Sequence, residues 1–164
     1  MSRGLKVYRN DKNQEYILIS SYFNDENTYK LQLIDVDNNK IIHTWNPDKF
    51  FASLATSEAS GTYTFEHSKL LNNGDVLISS GNEPILRINP CSKILWKSKI
   101  KSHHSKELDH DNNIWAPIYI DEKKYIKGTK LKFHDGIAKL DIKTGNILFK
   151  QSLVDILIEN NFFD

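Results

Sequence analysis

The sequence has few residues that form disulfide cross-links or interrupt secondary structure, with one cysteine, four prolines and seven glycines among 164 residues. Cys91 has no cysteine partner, so an intrachain disulfide cannot form and a thiolate metal cluster is disfavoured. Cys91 follows Pro90 in a stretch that predicts a turn. We expect a structural role for it there, because a reactive thiol needs an electropositive setting that the neighbouring residues do not supply.

An excess of charge of either sign is also missing. Lys and Arg number 22 against 21 Asp and Glu, and the formal net charge is +1. Because the charges nearly cancel, the composition does not indicate a basic surface for binding nucleic acid or a polybasic segment for binding a membrane surface. Apolar runs are too short to cross a bilayer, and no apolar run follows the basic residues at the start, so no signal peptide is indicated. We therefore predict neither nucleic acid nor a membrane as a partner.

Short apolar segments separated by turn residues dominate the rest of the chain. They are rich in Ile, Leu, Tyr and Trp, and clusters of Asn, Asp, Gly, Pro and Lys lie between them. Such spacing predicts an all-β meander of short strands. The segments are 16–20, 31–36, 40–45, 75–79, 85–88, 93–96, 113–120, 136–142 and 146–150.

One pattern recurs three times along the chain. In "LIDVDNNKIIHTW", "RINPCSKILW" and "KLDIKTGNILF" a strand ends at Asp or Asn, a polar turn follows, and a second strand ends in an aromatic residue. The anchors Asp35, Asn89 and Asp141 lie 54 and 52 residues apart. A hairpin with an Asn, Asp or Gly turn precedes the later copies, in "LLNNGDVLI" and "ELDHDNNIWA". A period near fifty with two hairpins per unit is typical of a propeller blade.

These units predict an all-β fold, a partial β-propeller of about three four-stranded blades with a short C-terminal helix. We expect a single domain over 1–164, with blade units at about 5–50, 51–100 and 101–151 and a helical tail at 152–161. Closed propellers have 4–8 blades. The chain is therefore expected to be part of a larger propeller, a truncated product or one piece of an assembly, with open blade edges through which copies could associate.

The stretch "KSHHSKELDHDNNIW" concentrates the candidate functional residues. It holds three of the six histidines, and carboxylates follow them at Glu107, Asp109 and Asp111. If 102–108 is a strand, His103 and His104 point to opposite faces and cannot share a metal, and His110 falls in the turn. Zinc sites on strands would use His-x-His, so we predict no metal ligand. From the residues alone, one packed histidine and two solvated ones stay an open alternative.

Three further histidines have weaker functional claims. We expect His43 to be a hydrogen-bonded histidine between blades. His67 precedes a hairpin much as His104 does, and so could face the same channel, although exposure elsewhere is the simpler expectation. His134 opens a strand, and the sequence assigns it no role.

Together these segments resemble the arylsulfotransferase family, from about Gly4 to the end of the chain. "LIDVDNNKIIHTW", "LLNNGDVLI", "KILW", the His doublet before an Asn-rich turn, and "HDGIAKLDIKTGNILF" carry the resemblance by their order and spacing. It implies a six-bladed propeller that transfers a sulfuryl group from a phenolic sulfate ester to a phenol through a sulfohistidine, with no nucleotide donor and no cofactor. The family is mostly exported, yet no export signal is found here, so the localisation stays unassigned.

By this resemblance His104 is the candidate catalytic and substrate-binding residue, helping to bind the sulfuryl oxygens. The family's nucleophilic histidine lies in a later blade, beyond Asp164, so we expect an incomplete and inactive fragment and leave open whether the chain is an enzyme. Asn112 stands where the family usually has Gly, which is tolerable because Asn accepts the left-handed conformation. The alternative is a non-enzymatic binding module, because propellers commonly present loops to other molecules.

Overall fold

The computed structural model describes residues 15–23, 25–26, 28–47, 65, 67–81, 83–125 and 132–162, without the side chains of 121–125 and 132–134. This part of the chain is all-β with one short helix, which confirms the predicted class. The strands are β1 Tyr16–Phe23, β2 Thr28–Asp35, β3 Lys40–Trp45, β4 Lys69–Leu70, β5 Val76–Ile78, β6 Glu83–Ile88, β7 Ile94–Ser102, β8 Glu107–Leu108, β9 Ile114–Tyr125, β10 Lys132–Leu140 and β11 Ile147–Ser152, and helix α1 is Leu153–Glu159.

The strands form three antiparallel meanders in chain order. The first meander is β1–β2–β3, the second is β4–β5–β6–β7, and the third is β8–β9–β10–β11 followed by α1. A single register pair, Ser102 with Ile118, joins β7 to β9. Each four-stranded unit therefore pairs almost entirely within itself. Among the helices of the described residues, none is long and apolar enough to span a membrane.

The condition that 102–108 is a strand does not hold for residues 103–106. β7 ends at Ser102 and β8 begins at Glu107, with no strand pairing between them. The physical reason is that the chain leaves the last strand of one meander here and enters the first strand of the next. It must turn a corner, and His104 at φ 56° supplies part of that turn.

The three anchor residues occupy the same place in three hairpins. The backbone N–H of Asn38 donates to Asp35 Oδ1 at 3.0 Å, and the N–H of Lys93 donates to Asn89 Oδ1 at 2.9 Å. In the third hairpin Asp141 Oδ1 accepts the Thr144 N–H at 2.7 Å. A short side-chain oxygen that binds the turn backbone is the reason Asp and Asn are favoured at such positions.

A register shift follows each anchor hairpin at the same point, between Leu33 and Ile34, between Arg87 and Ile88, and between Lys139 and Leu140. Because of this shared bulge, Leu33 lies opposite His43, Arg87 opposite Trp96 and Lys139 opposite Phe149. The sequence pattern matched Trp45 with Trp96 and Phe149. The register corrects this match, since His43 is the equivalent residue.

The second meander is buried on both faces. We call the face that meets the preceding meander the rear face, and the face that meets the following one the front face. The rear face packs against Leu31 and Trp45 of the first meander, and the front face packs against strands β9 and β10 of the third. Rear-face residues are Val76, Ile78, Leu86 and Ile88, and front-face residues are Leu71, Leu77, Ile85, Trp96 and Ile100. Each fully buried side chain of this size contributes about 1.5–3 kcal/mol.

One hydrogen bond recurs at both junctions between meanders. At the first, His43 Nε2 lies 2.7 Å from the Pro90 carbonyl oxygen and donates to it. At the second, Trp96 Nε1 donates to the Ile142 carbonyl at 2.9 Å, and Arg87 Nη1 donates to the same oxygen at 2.8 Å. Pro90 and Ile142 each follow an anchor residue directly. The expectation for His43, a hydrogen-bonded histidine between units, is confirmed.

Gly145 closes the second junction, and its replacement tests that junction. Its φ is +71°, and an added Cβ would lie 2.5 Å from Cε3 of Trp96. We expect Gly145→Ala to lower the free energy of unfolding by about 2–4 kcal/mol, from left-handed strain and overpacking together. Urea denaturation measures this change.

The matched control is Gly74→Ala, which introduces the same left-handed backbone strain but no clash with a tryptophan ring. Gly74 has φ +84°, and the nearest atom to an added Cβ is Pro90 Cγ at 3.2 Å, a less severe approach than at Gly145. We expect a loss of about 1–2 kcal/mol. Equal losses in the two variants would show that the Gly145 contact with Trp96 does not stabilise the junction.

Candidate functional site

The corner between β7 and β8 gathers the candidate functional side chains. His103 donates its backbone N–H to the Pro117 carbonyl at 3.3 Å, which fixes the corner on β9. Its side chain is only 11% exposed. The ring lies between that of Tyr119, with centroids 4.4 Å apart, and that of His104, at 4.9 Å and near-perpendicular. Two imidazoles and a phenol thus form one contiguous group.

A carboxylate lies next to the buried imidazole. His103 Nε2 is 3.3 Å from Asp135 Oδ1. The approach does not have hydrogen-bond geometry, and among the described residues neither ring nitrogen of His103 has a hydrogen-bond partner. The His103 ring therefore faces a carboxylate at Nε2, and both of its ring nitrogens are shielded from solvent.

His104 has the opposite environment, with an exposed ring on a constrained backbone. Its φ is 56°, a left-handed value that costs a non-glycine residue about 1–3 kcal/mol. Lys106 Nζ donates to the His104 carbonyl oxygen at 3.1 Å, and Lys106 is itself only 2% exposed. The His104 side chain is accordingly accessible to an incoming molecule, while Lys106 holds the His104 main chain in place.

The predicted separation of the two histidines onto opposite faces is wrong. That interpretation required a strand, and residues 103–106 are not one. The rings contact each other, and His103, not His104, is the buried member of the pair. His110 lies apart from them, 88% exposed in the turn that follows β8.

The site also contains two residues that the sequence pattern did not single out. Asp135 and Tyr119 are register partners of β10 and β9, beside a shift between Phe133 and Asp135. The following Gly136 permits the close approach of the strands, because an added Cβ would lie 2.4 Å from Ile120 Cδ1. The available signal was the polar Asp–Gly pair inside an apolar strand, which suggests a bulge. The side chain of His134, next to Asp135, lies outside the described residues.

Two of the three carboxylates of the histidine-rich stretch form ion pairs with lysines, and the third lies beside an imidazole. Glu107 pairs with Lys69 across the first strands of two meanders. Asp109 Oδ2 lies 2.7 Å from Lys139 Nζ, and Asp111 Oδ1 lies 3.3 Å from the ring of its neighbour His110. Among the side chains described, no group of three or more His, Cys, Asp or Glu is arranged to hold a metal ion.

The turn after β8 matches the turn after β4. The Asn112 N–H donates to the Asp109 carbonyl at 3.0 Å, as the Gly74 N–H donates to the Leu71 carbonyl at 2.9 Å. Both turn residues are left-handed, with φ 61° for Asn112 and 84° for Gly74. Asn112 therefore takes the conformation that the sequence predicted it would tolerate in place of glycine.

His67 also resembles His104 in its position. It is exposed, has φ 45° and precedes β4, as His104 precedes β8. Two consecutive meanders thus begin with an exposed, left-handed histidine. What the two residues share is the left-handed backbone before the first strand of each meander.

Comparison with known proteins adds one positive finding. A family model described as "Arylsulfotransferase (ASST)" matches residues 67–163. This is more than half of the chain, and it includes the second and third meanders with the corner at His103 and His104. No curated protein matches the chain.

Asp109 provides a pH-dependent test of how this corner is held. Hydrogen bonding from Lys139, and further bonds from the Asn113 N–H and the Trp115 indole, hold the pKa of Asp109 well below its usual range. A lowered pKa in the folded state means that the ionised carboxylate stabilises the fold above about pH 4, the ordinary value for Asp, and that this is lost as pH falls further. We expect Asp109→Asn to reduce stability at pH 7 and to flatten its decline below pH 4.

Chemical denaturation at pH 7, 5, 4 and 3 measures this difference. Asp111→Asn is the matched control, because Asp111 is 59% exposed and lies 3.3 Å from the exposed His110 ring. We expect its stability profile to follow that of the parent chain. If Asp109→Asn showed the same profile as the parent, the network around Asp109 would not stabilise the fold.

Proposed function

The chain belongs to the arylsulfotransferase family, and from this premise we propose that it takes part in moving a sulfuryl group from a phenolic sulfate ester to a phenol acceptor. The observation that carries the proposal is the corner at the start of β8, where an exposed imidazole lies beside a buried one that faces a carboxylate. This corner lies within the region that matches the family.

The chemistry of the sulfuryl group determines which residues such a site must contain. Sulfur leaves the donor ester oxygen for a histidine nitrogen, the first phenolate departs, and the sulfuryl group then passes from that nitrogen to the acceptor oxygen. Negative charge stays on the non-bridging oxygens throughout, so N–H donors must surround them. The acceptor phenol, with a pKa of about 10, must give up its proton as it attacks, and a positioned base assists this step.

We assign the binding of the sulfuryl oxygens to one residue of the corner. His104 is accessible and its ring N–H can donate to the sulfuryl oxygens, which keeps the role predicted for it. His103 is a positioning residue, since its ring packs against that of His104 and lies beside Asp135 while both of its ring nitrogens are buried. The nucleophilic histidine of the sulfohistidine step is proposed to come from outside the three described meanders.

We further propose that each meander is one blade of a six-bladed propeller. Two features support this: each later meander has four strands in simple antiparallel order, and consecutive meanders pack face to face through apolar side chains. Three blades are half of such a ring. On this proposal the 164-residue chain supplies part of the site and lacks the part with the nucleophile.

The chain by itself is therefore not expected to turn over substrate. The assay mixes it with p-nitrophenyl sulfate and a phenol acceptor and follows the release of p-nitrophenolate. We expect a rate equal to that of the protein-free control. Clear turnover that disappears in His104→Ala would contradict the incompleteness proposed here, because it would place the whole machinery in this chain.

Binding of the donor is expected even without turnover. Titration of p-nitrophenyl sulfate, followed by the NMR signals of the histidine rings, should show an affinity that falls about two- to fivefold in His104→Ala, because a solvent-exposed contact with an anion contributes about 0.2–1 kcal/mol. His110→Ala is the control, since that ring is 88% exposed and outside the corner. Equal affinities of His104→Ala and the parent chain would overturn the role of His104 and favour a non-enzymatic binding module.

A further inference from the structure

A cleft at the junction of the second and third meanders combines aliphatic and cationic side chains. It has a volume of about 400 Å³ and lies between the turn that follows β4 and the turn of the third anchor hairpin. Its apolar wall is entirely aliphatic and consists of Leu70, Leu71, Leu108 and Ile142. Both walls belong to the described residues, so the cleft is formed at a junction inside the chain.

A cleft of about 310 Å³ occupies the equivalent place at the junction of the first and second meanders. By register, Leu33 in the first cleft takes the place of Arg87 in the second. Pro90 in the first takes the place of Ile142, since each directly follows an anchor residue. Among its described lining residues the first cleft has no Lys or Arg. The stacking of meanders thus explains the clefts, but it does not explain the cations of the second one.

Two of the three cations that line the second cleft have carboxylate partners. Lys69 pairs with Glu107, and Arg87 Nη2 lies 2.6 Å from Asp75 Oδ2. Arg87 Nη1 donates one N–H to the Ile142 carbonyl at 2.8 Å. Because each of these two nitrogens carries a second N–H, the guanidinium keeps donors for a further acceptor.

Lys143 is the third cation, and it is exposed. Among the described residues its ammonium group has no ion-pair partner within 4.0 Å. The nearby carboxylate of Asp141 is used by its own turn, where Oδ1 accepts the backbone N–H groups of Lys143 and Thr144 at 2.9 Å and 2.7 Å. Lys143 can therefore pair with one negative charge brought by another molecule.

We propose that this cleft binds a small monocarboxylate with an apolar body. Its volume falls in the range of about 300–1,000 Å³ that is usual for small-molecule sites, and such sites combine an apolar lining with a few polar groups. The aliphatic wall would receive the apolar body. The carboxylate would pair with Lys143 and accept N–H groups from Arg87, because a guanidinium edge matches the geometry of a carboxylate.

This inference goes beyond the proposed function and does not rest on it. The corner at His103 and His104 contributes no residue to the described lining of the cleft. A ligand in the cleft would contact both meanders and the group of hydrogen bonds around the Ile142 carbonyl. The two sites can therefore be tested separately in the same chain.

Titration of the full chain with 2-naphthoate, a rigid aromatic monocarboxylate, tests the cleft. We expect saturable one-to-one binding that shifts the NMR signal of the Trp96 indole N–H, which donates to the Ile142 carbonyl in the wall. The side-chain amide signals of Asn72 and Asn112, which also line the cleft, should shift with it. The neutral isostere 2-naphthamide should bind about fivefold more weakly or worse, because it lacks the charge that Lys143 attracts.

Two matched pairs of variants locate the binding. Lys143→Met removes the charge and should lower the affinity for 2-naphthoate about two- to fivefold. Lys150→Met, at an exposed position of β11 outside the cleft, should leave it unchanged. Leu70→Asp replaces part of the apolar wall with a negative charge and should lower the affinity about tenfold or more. Leu95→Asp, at an exposed position of β7 outside the cleft, is its control, and circular dichroism establishes that each variant is folded.

Four outcomes would overturn the proposal. The first is the absence of saturable binding, and the second is equal affinity for 2-naphthoate and 2-naphthamide. The third is an equal loss in Lys143→Met and Lys150→Met, which would show that only the overall charge of the chain matters. The fourth is a set of signal changes confined to the His103 and His104 rings, which would place the ligand at the corner. None of these outcomes affects the role of His104, which the titration with p-nitrophenyl sulfate tests.

Discussion

Burial of both faces of β5 is the constraint on which the rest of the structure depends. Val76, Leu77 and Ile78 are fully buried, although they are consecutive and their side chains point to alternate sides of the sheet. A strand of this kind needs an apolar layer on each side. The second meander can therefore be stable only between two neighbours. The two junctions follow from this requirement.

The recurring junction hydrogen bond explains how units of different sequence stack in the same way. Its acceptor is a main-chain carbonyl held by the turn at Asn89 or Asp141, so the acceptor does not depend on side-chain identity. Its donor is an imidazole at one junction and an indole with a guanidinium at the other. The anchors were predictable from the sequence because an Asx turn requires Asp or Asn. The equivalence of His43 with Trp96 was not, because it depends on a bulge, and a bulge is a property of two paired strands.

The candidate site shows a similar division between local and long-range information. The sequence identified the stretch from Lys101 to Trp115, and a hairpin turn with a left-handed Asn112 follows from local chemistry. The burial of His103 could not be read locally, because it depends on a corner held by buried Lys106 and on β9 lying alongside. Asp135 and Tyr119 reach the site only through the β9–β10 register shift. Strand alternation was a sound rule applied to residues that are not a strand.

The exposure of the site limits the chemistry that it can perform. His104 lies at an open end of the first strand of a meander, and its ring is exposed to water, where an interaction with an anion is screened. Donors stabilise a transferred anionic group far more strongly when water is excluded and their orientation is fixed. Part of this orientation is already present, since Lys106 fixes the His104 main chain and Asp135 lies against His103. The exclusion of water would require a further element that covers the exposed His104 ring, so the contribution of His104 to binding depends on what lies over this corner.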